Sequence, residues 1–440
     1  MLSRREKLSF GAGDFAFAFT WASLSLYLMY FYTDVFGISP AVVGTLFLVT
    51  RLWDAITDPI VGVLSDRTRS RFGRLRPWLL FSALPLGIIL ALTFTTPALS
   101  ESGKVTYAFV TYIALMGVYT MANIPYSALP VIMTTDNTER RDLSNIRVIC
   151  SYVAFVLISY STLPLVRWFG GGDEALGFSL VFSLYGVMTF AVLLVTFRGV
   201  NERHTEGESA SSPLTSFRDV ARAKPFWLMF LVCVLIFTLM LMPDSVTIYF
   251  FKYYLHDEEG VSLFLACGYA AVIAGVLINQ YVLQRFCKRT VMIWANLGYA
   301  LALAAFFKAV EINTPTFVAV FMLAKVFNGI IGATMWAMVA DIADYVEYRS
   351  GRRATGASTS AVTFSHKFGM SIGGLLVGLL FSTFGYVPNA DQTPEVLTLI
   401  KSMMSLIPAA GALCVALIML RYPLSDQVME TVRAQKPTAA

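Results

Sequence analysis

At 440 residues, with 57% apolar residues, 14% charged residues and a mean hydropathy of +0.66, this chain is too apolar for a water-soluble fold. Its net charge of +5 is spread over many loops, which argues against a nucleic-acid surface. Cys150, Cys233, Cys267, Cys287 and Cys414 are scattered without a CxxC, and His204, His256 and His366 are far apart. No disulfide framework, resident metal, cofactor or catalytic pair is therefore expected.

Apolar runs of about 20 residues recur along the chain, long enough to cross ~30 Å of hydrocarbon as helices. They are continuous and do not alternate, which selects helices over a closed barrel. The opening MLSRREKLSF is basic but lacks a short apolar stretch with a small-residue cleavage site, so the first span is expected to be retained. That span, near 8–33, carries Asp14, with Trp21 and Ser25 on the same helical face. The second, 41–65, carries Arg51, Asp54 and Asp58 in RLWDAITDP; the two carboxylates are i and i+4, with Thr57 beside them. The third is 77–97. The fourth, 106–133, presents Tyr119, Asn123 and Ser127 at four-residue spacing, with Thr120 on the adjoining edge. The fifth and sixth run near 143–166 and 177–199.

A polar stretch from Asn201 to Pro225 then divides six spans from six. The seventh span, 226–254, carries Asp244. The eighth, ninth and tenth follow near 261–283, 291–310 and 315–340, the last with Lys325. The eleventh, 358–384, presents Thr363 and Lys367 at i and i+4, and the twelfth is 398–420. The expected organisation is thus a bundle over 1–200, a middle loop over 201–225, a second bundle over 226–422 and a tail over 423–440.

Basic residues crowd alternate loops: Arg4, Arg5 and Lys7; Arg67 to Arg76; Arg140 and Arg141; Arg285, Lys288 and Arg289; Arg349, Arg352 and Arg353. The positive-inside rule makes both termini and the middle loop cytoplasmic. Arg71-Phe72-Gly73-Arg74 is echoed by Arg285-Phe286-Cys287-Lys288 after 214 residues, and Arg140-Arg141 by Arg352-Arg353 after 212. Two echoes at nearly one offset predict a duplicated, pseudo-symmetric six-helix unit.

Ionisable groups inside a membrane are costly and mark function. Counted from Lys7, Arg67, Asp136 and Arg353, the residues Asp14, Asp54, Asp58, Asn123 and Lys367 lie 7 to 14 residues inward. At ~1.5 Å per residue, all five share one slab of the bilayer. Two close carboxylates and a hydroxyl suit a small cation such as Na⁺, or a proton if repulsion raises one carboxyl pKa. The plainer alternative is that Arg51 neutralises Asp54 within the helix. Lys367 reads either as a counter-ion to these acids or as a substrate contact. Asp244, 20 residues inward from Lys224, and Lys325, 16 inward from Asp341, match in depth and are expected to pair and to bias substrate choice or gating; the alternative is that Lys325 snorkels outward and Asp244 meets only water.

The order DFAF…YFYTDVFG, GTLFLVTRLWDAITDP, RFGRLRPW, MANIPYSALP, ADIADYVEYRSG and GYVPNADQTPEVL resembles the glycoside–pentoside–hexuronide:cation symporters of the major facilitator superfamily. The resemblance implies an all-α membrane protein of twelve transmembrane helices in the major facilitator fold. It also implies Na⁺- or H⁺-coupled symport of a glycoside, oligosaccharide or uronide across the bacterial inner membrane, by a monomer without enzymatic activity. Asp54, Thr57, Asp58 and Thr120 correspond to the family's cation site. Asp14, Tyr119, Asn123, Arg147, Thr363 and Lys367 correspond to its sugar site, and the fold would bring spans 7 and 10 to the central cavity. The chain departs from the melibiose-carrying members at Asn123, where they have an aspartate, at Ser127 for a tryptophan, at Gly13 for a lysine and at Thr57 for an asparagine. Another glycoside or a uronide is therefore the expected substrate, and the ion stays open between Na⁺ and H⁺. A lysolipid carrier would need an apolar path, against which the polar slab argues. An enzyme would need a nucleophile–base pair or metal cluster, and a receptor a soluble signalling domain; the sequence displays neither.

Overall fold

The computed structural model describes residues 2–203, 218–240, 242–350, 355–424, 428–429 and 431–432. Arg352, Arg353, His204 and much of the middle loop lie outside the described residues, as does most of the tail. Among the described residues, twelve helices are long and apolar enough to cross a membrane. We number them α1 (Arg4–Tyr30), α2 (Pro40–Arg67), α3 (Arg76–Thr93), α4 (Glu101–Met133), α5 (Asn137–Gly170) and α6 (Glu174–Gly199). The second six are α7 (Lys224–Leu255), α8 (Gly260–Val282), α9 (Lys288–Ala309), α10 (Thr314–Ser350), α11 (Thr355–Phe384) and α12 (Pro394–Leu420).

Local chemistry explains where several helices start and stop. Ser3 and Glu6 form a reciprocal capping box ahead of α1. Asp136 caps α5 through the Thr138 amide at 2.7 Å, and Gly171 ends it at φ 55°. Along α2, Leu52, Ile56, Ile60 and Val63 are exposed, while Arg51 and Asp54 are buried. One face of this helix thus suits lipid and the other a polar interior, the reverse of a soluble amphipathic helix.

The chain forms two compact units. The first comprises Met1–Gly207, Asp257–Ala266 and Val377–Gln392; the second, Glu208–His256, Cys267–Leu376 and Thr393–Ala440. In the first, α1 packs on α5 and α6, α3 on α4 and α6, and α2 on α4. Its loop after α2 is fixed by Glu202, whose carboxylate accepts from the Arg74, Leu75 and Arg76 amides at 2.7, 2.7 and 2.9 Å. These are orphan donors at the start of α3, so an anion there is stabilised by the helix terminus as well as by the bonds. At the other end of α1, Asp34 accepts from the Tyr386 hydroxyl at 2.8 and 2.9 Å, inside the same unit.

In the second unit, α9 packs on α10 and on the latter part of α12. Helix α10 continues ten residues beyond the expected end. The acidic stretch after Ala340 stays helical because one face is buried: Asp341 bonds to Lys288 at 2.7 Å, with Ile342 and Val346 inside. Helix α12 is broken at Ser405 (φ −140°, ψ −80°). Helix α7 is interrupted twice by π-helical turns, at Ile236–Met240 and Phe250–Leu255.

Candidate functional site

In the first unit, α1, α4 and α5 bring together a polar cluster around Asp14. Its carboxylate is buried, accepts from Arg147 Nε at 2.6 Å and accepts a second bond from Ser151 Oγ. Arg147 also reaches Ser127 Oγ at 3.4 Å, and its guanidinium faces the Tyr126 ring at 5.3 Å. Tyr126 is held by its hydroxyl on the Phe10 carbonyl at 2.6 Å and by stacking on Phe10. Gly13 lies so close that any Cβ there would overlap the Tyr126 ring. The backbone thus admits no larger residue beside Asp14 while Tyr126 supports Arg147, which gives the expected lysine-to-glycine departure a physical reason.

A second cluster joins α2 to α4. Arg51 Nη1 donates to the fully buried Asp54 at 2.8 Å, while Thr120 Oγ1 donates to Asp58 at 3.0 Å. The Thr57 hydroxyl donates back to the Trp53 carbonyl at 3.0 Å, leaving its oxygen lone pairs as acceptors. The two acids therefore divide: Asp54 takes the arginine, as in the plainer sequence reading, and Asp58 takes the threonine.

Trp21 connects the clusters. The Arg51 guanidinium stands 4.6 Å from its ring, and the Tyr119 ring lies 5.8 Å from it. Tyr119 is half-buried, with Phe17 at its edge. Asn123, one turn further along α4, is also half-buried. The residues brought together here include three carboxylates, Asp14, Asp54 and Asp58, and two guanidiniums, Arg51 and Arg147. Among the described residues, no group of three or more His, Cys, Asp or Glu could hold a metal ion. What the arrangement offers is carboxylate and hydroxyl oxygens, the ligand type that a small cation takes.

Thr363 and Lys367, both half-buried on α11, belong to the second unit, as do Asp244 and Lys325. Lys325 Nζ donates to Asp244 Oδ1, and both side chains are buried. Sequence reasoning missed Ser151, Tyr126 and the Trp21–Arg51 contact. Ser151 had a usable signal, since it is i+4 from Arg147 and so shares its face. Tyr126 did not, being one aromatic among many.

Residues 9–426 match the family described as MFS/sugar transport protein. The chain belongs to that family. Among MFS/sugar transport relatives, the inner membrane symporter YicJ of Escherichia coli is 34% identical over 438 residues, spanning 99% of this chain and 95% of that protein. The isoprimeverose transporter of Lactiplantibacillus pentosus is 35% identical over 430 residues, spanning 96% and 89%. The fold also matches the crystal structure of the nucleoside transporter NupG, with a TM-score of 0.71 at 13% identity, over 95% of this chain and 99% of that one. This is the twelve-helix architecture expected from the sequence, and the protein is a multi-pass membrane transporter of the MFS/sugar transport type.

Proposed function

We propose that this protein is a cation-coupled symporter that moves a glycoside or uronide across the bacterial inner membrane by alternating access. The observation that carries the reading is the placing of two carboxylates and two hydroxyls together where α2 meets α4, with Thr120 donating to Asp58. A bound Na⁺ or H⁺ adds positive charge near Asp58, Thr57 and Thr120, with Asp54 held by Arg51. Neutralisation lowers the cost of keeping the cluster away from water and so favours the loaded state.

The sugar's hydroxyls bond to Asp14, Arg147 and Asn123 while a ring face lies on Tyr119 and Trp21. Sugars suit such a surface because their C–H faces are apolar and their rims are hydrogen-bonding. Ser127 completes the substrate contacts of the first unit in this reading. Both termini and the middle loop face the cytoplasm, where the basic loops belong. The protein works as a monomer and carries out no covalent chemistry. Relatives named as a symporter and as an isoprimeverose transporter support both halves of the reading, coupling and sugar.

The test is uptake into proteoliposomes across a panel of glycosides and uronides, with an imposed Na⁺ gradient, a pH gradient, or neither. At least one compound should accumulate above equilibrium when one of the two gradients is imposed. If no compound accumulates under either gradient in vesicles that retain folded protein, the reading fails.

A further inference from the structure

Helix α7 is built unlike its neighbours. Regular α-helix runs from Lys224 to Leu235, a π-helical turn follows at Ile236–Met240, α-helix returns at Met242–Tyr249, and a second π turn closes the span at Phe250–Leu255. A π turn inserts a residue into the hydrogen-bond ladder, and such turns are points at which helices bend or shift register. The Met242–Tyr249 segment therefore has a deformable joint at each end.

What fixes that segment is a charge. Asp244 lies in its first turn, directly after Pro243. It accepts from Lys325 of α10, and the Tyr269 hydroxyl of α8 donates to its other oxygen at 3.0 Å. Both partners of the ion pair are buried, 5% exposed each. The Lys325 ammonium stands 5.4 Å from the Phe321 ring and 5.7 Å from Tyr269, and its stem runs past Gly268. One turn on, Thr247 bonds to the Pro243 carbonyl at 2.7 Å and touches the Met404 sulfur of α12.

A buried ion pair adds little net stability, because desolvating two charges cancels most of their attraction. It does select one arrangement, since any slip that separates the pair leaves two uncompensated charges in an apolar setting. We propose that Asp244 and Lys325 are positioning residues for transport: their ion pair sets the register of the Met242–Tyr249 segment against α8 and α10. The pair thereby governs how fast the carrier changes conformation and leaves the affinity for sugar unaltered. This rests on the transport reading above.

Four variants test it: Asp244→Asn, Lys325→Gln, the double swap Asp244→Lys with Lys325→Asp, and the apolar double Asp244→Leu with Lys325→Met. Three measurements are made on each: sugar affinity in detergent, uptake Vmax in proteoliposomes, and hydrogen–deuterium exchange over residues 236–255. The single variants should lower Vmax about tenfold or more, with affinity within about threefold of the original and faster exchange in that segment. The swap should recover part of both the rate and the protection. The apolar double should stay folded with a normal melting temperature and still transport slowly, because it restores packing without restoring register. Affinity falling in step with Vmax, an apolar double as fast as the original, or unaltered exchange in every variant would each overturn the proposal. If a single variant does not fold, the two doubles and their exchange still decide. The exchange measurement needs no substrate, and the unsubstituted protein run alongside shows separately whether the transport reading has failed.

Discussion

At the scale of single residues, Asp14 is the acceptor around which the polar cluster of α1, α4 and α5 is built. Arg147, Ser151 and, through Arg147, Ser127 and Tyr126 all depend on it. Replacing it with alanine removes the acceptor and leaves a half-buried guanidinium without its counter-charge. Losing a buried hydrogen-bonding partner costs about 1–3 kcal/mol, or roughly 5- to 150-fold in affinity. Calorimetry on Asp14→Ala should show sugar binding weakened within that range while the protein stays folded in detergent. Unchanged affinity would remove Asp14 from the site. Gly13→Ala makes a sharper comparison because it adds only a methyl group. The Tyr126 ring must move off Phe10 to admit it, so the melting temperature should fall, with overpacking costing about 1–3 kcal/mol. An aspartate in an apolar run stands out in the sequence, so Asp14 was legible. Tyr126 was not, because aromatic residues recur throughout any membrane bundle and only tertiary packing singles it out, whereas Ser151 could have been found from its i+4 spacing to Arg147.

At the scale of elements, hydropathy located all twelve helices and mistook their irregularities. A window average sees length and apolarity, so it finds a span, but a π turn or the break at Ser405 alters neither quantity. The extra ten residues of α10 were lost for the opposite reason: Asp341, Asp344 and Glu347 lower the average although Asp341 is buried on Lys288. The Glu202 anchor was equally invisible, being a lone acid far along the chain from the amides it binds. Its importance can be measured. Glu202→Gln keeps the shape and removes the charge, weakening three bonds at the start of α3; helix-terminus charges and caps contribute about 1 kcal/mol. The variant should melt lower, and transport should slow as the loop after α2 loosens. Gly73→Ala should be worse, because Gly73 sits at φ +104° and a Cβ there would lie 2.6 Å from the Glu202 carboxylate. Equal melting temperatures for both variants and the original would show that the anchor is incidental.

At the scale of the whole molecule, cation and sugar must be linked thermodynamically, and the acids of α2 say how. Asp54 and Asp58 supply the negative charge that a cation neutralises, so removing either should weaken cation binding. The two acids of α2 should then fail differently. Asp58 is partly accessible and bonded to a hydroxyl, so Asp58→Cys removes its charge and leaves the buried Arg51–Asp54 pair in place. Sugar should still exchange downhill, without dependence on Na⁺ or pH, while uphill accumulation is lost. Asp54→Cys strands the buried Arg51, and breaking a buried pair costs about 3–5 kcal/mol. That variant should lose uphill accumulation too, and in addition melt well below Asp58→Cys. The linkage is reciprocal: whatever factor the cation contributes to sugar affinity, the sugar contributes to cation affinity, and both should vanish together in Asp58→Cys. Counterflow, gradient-driven uptake and melting curves on the two variants measure each part. Normal concentrative uptake with normal ion dependence in either variant would sink the assignment of these acids to coupling, whatever the sugar proves to be.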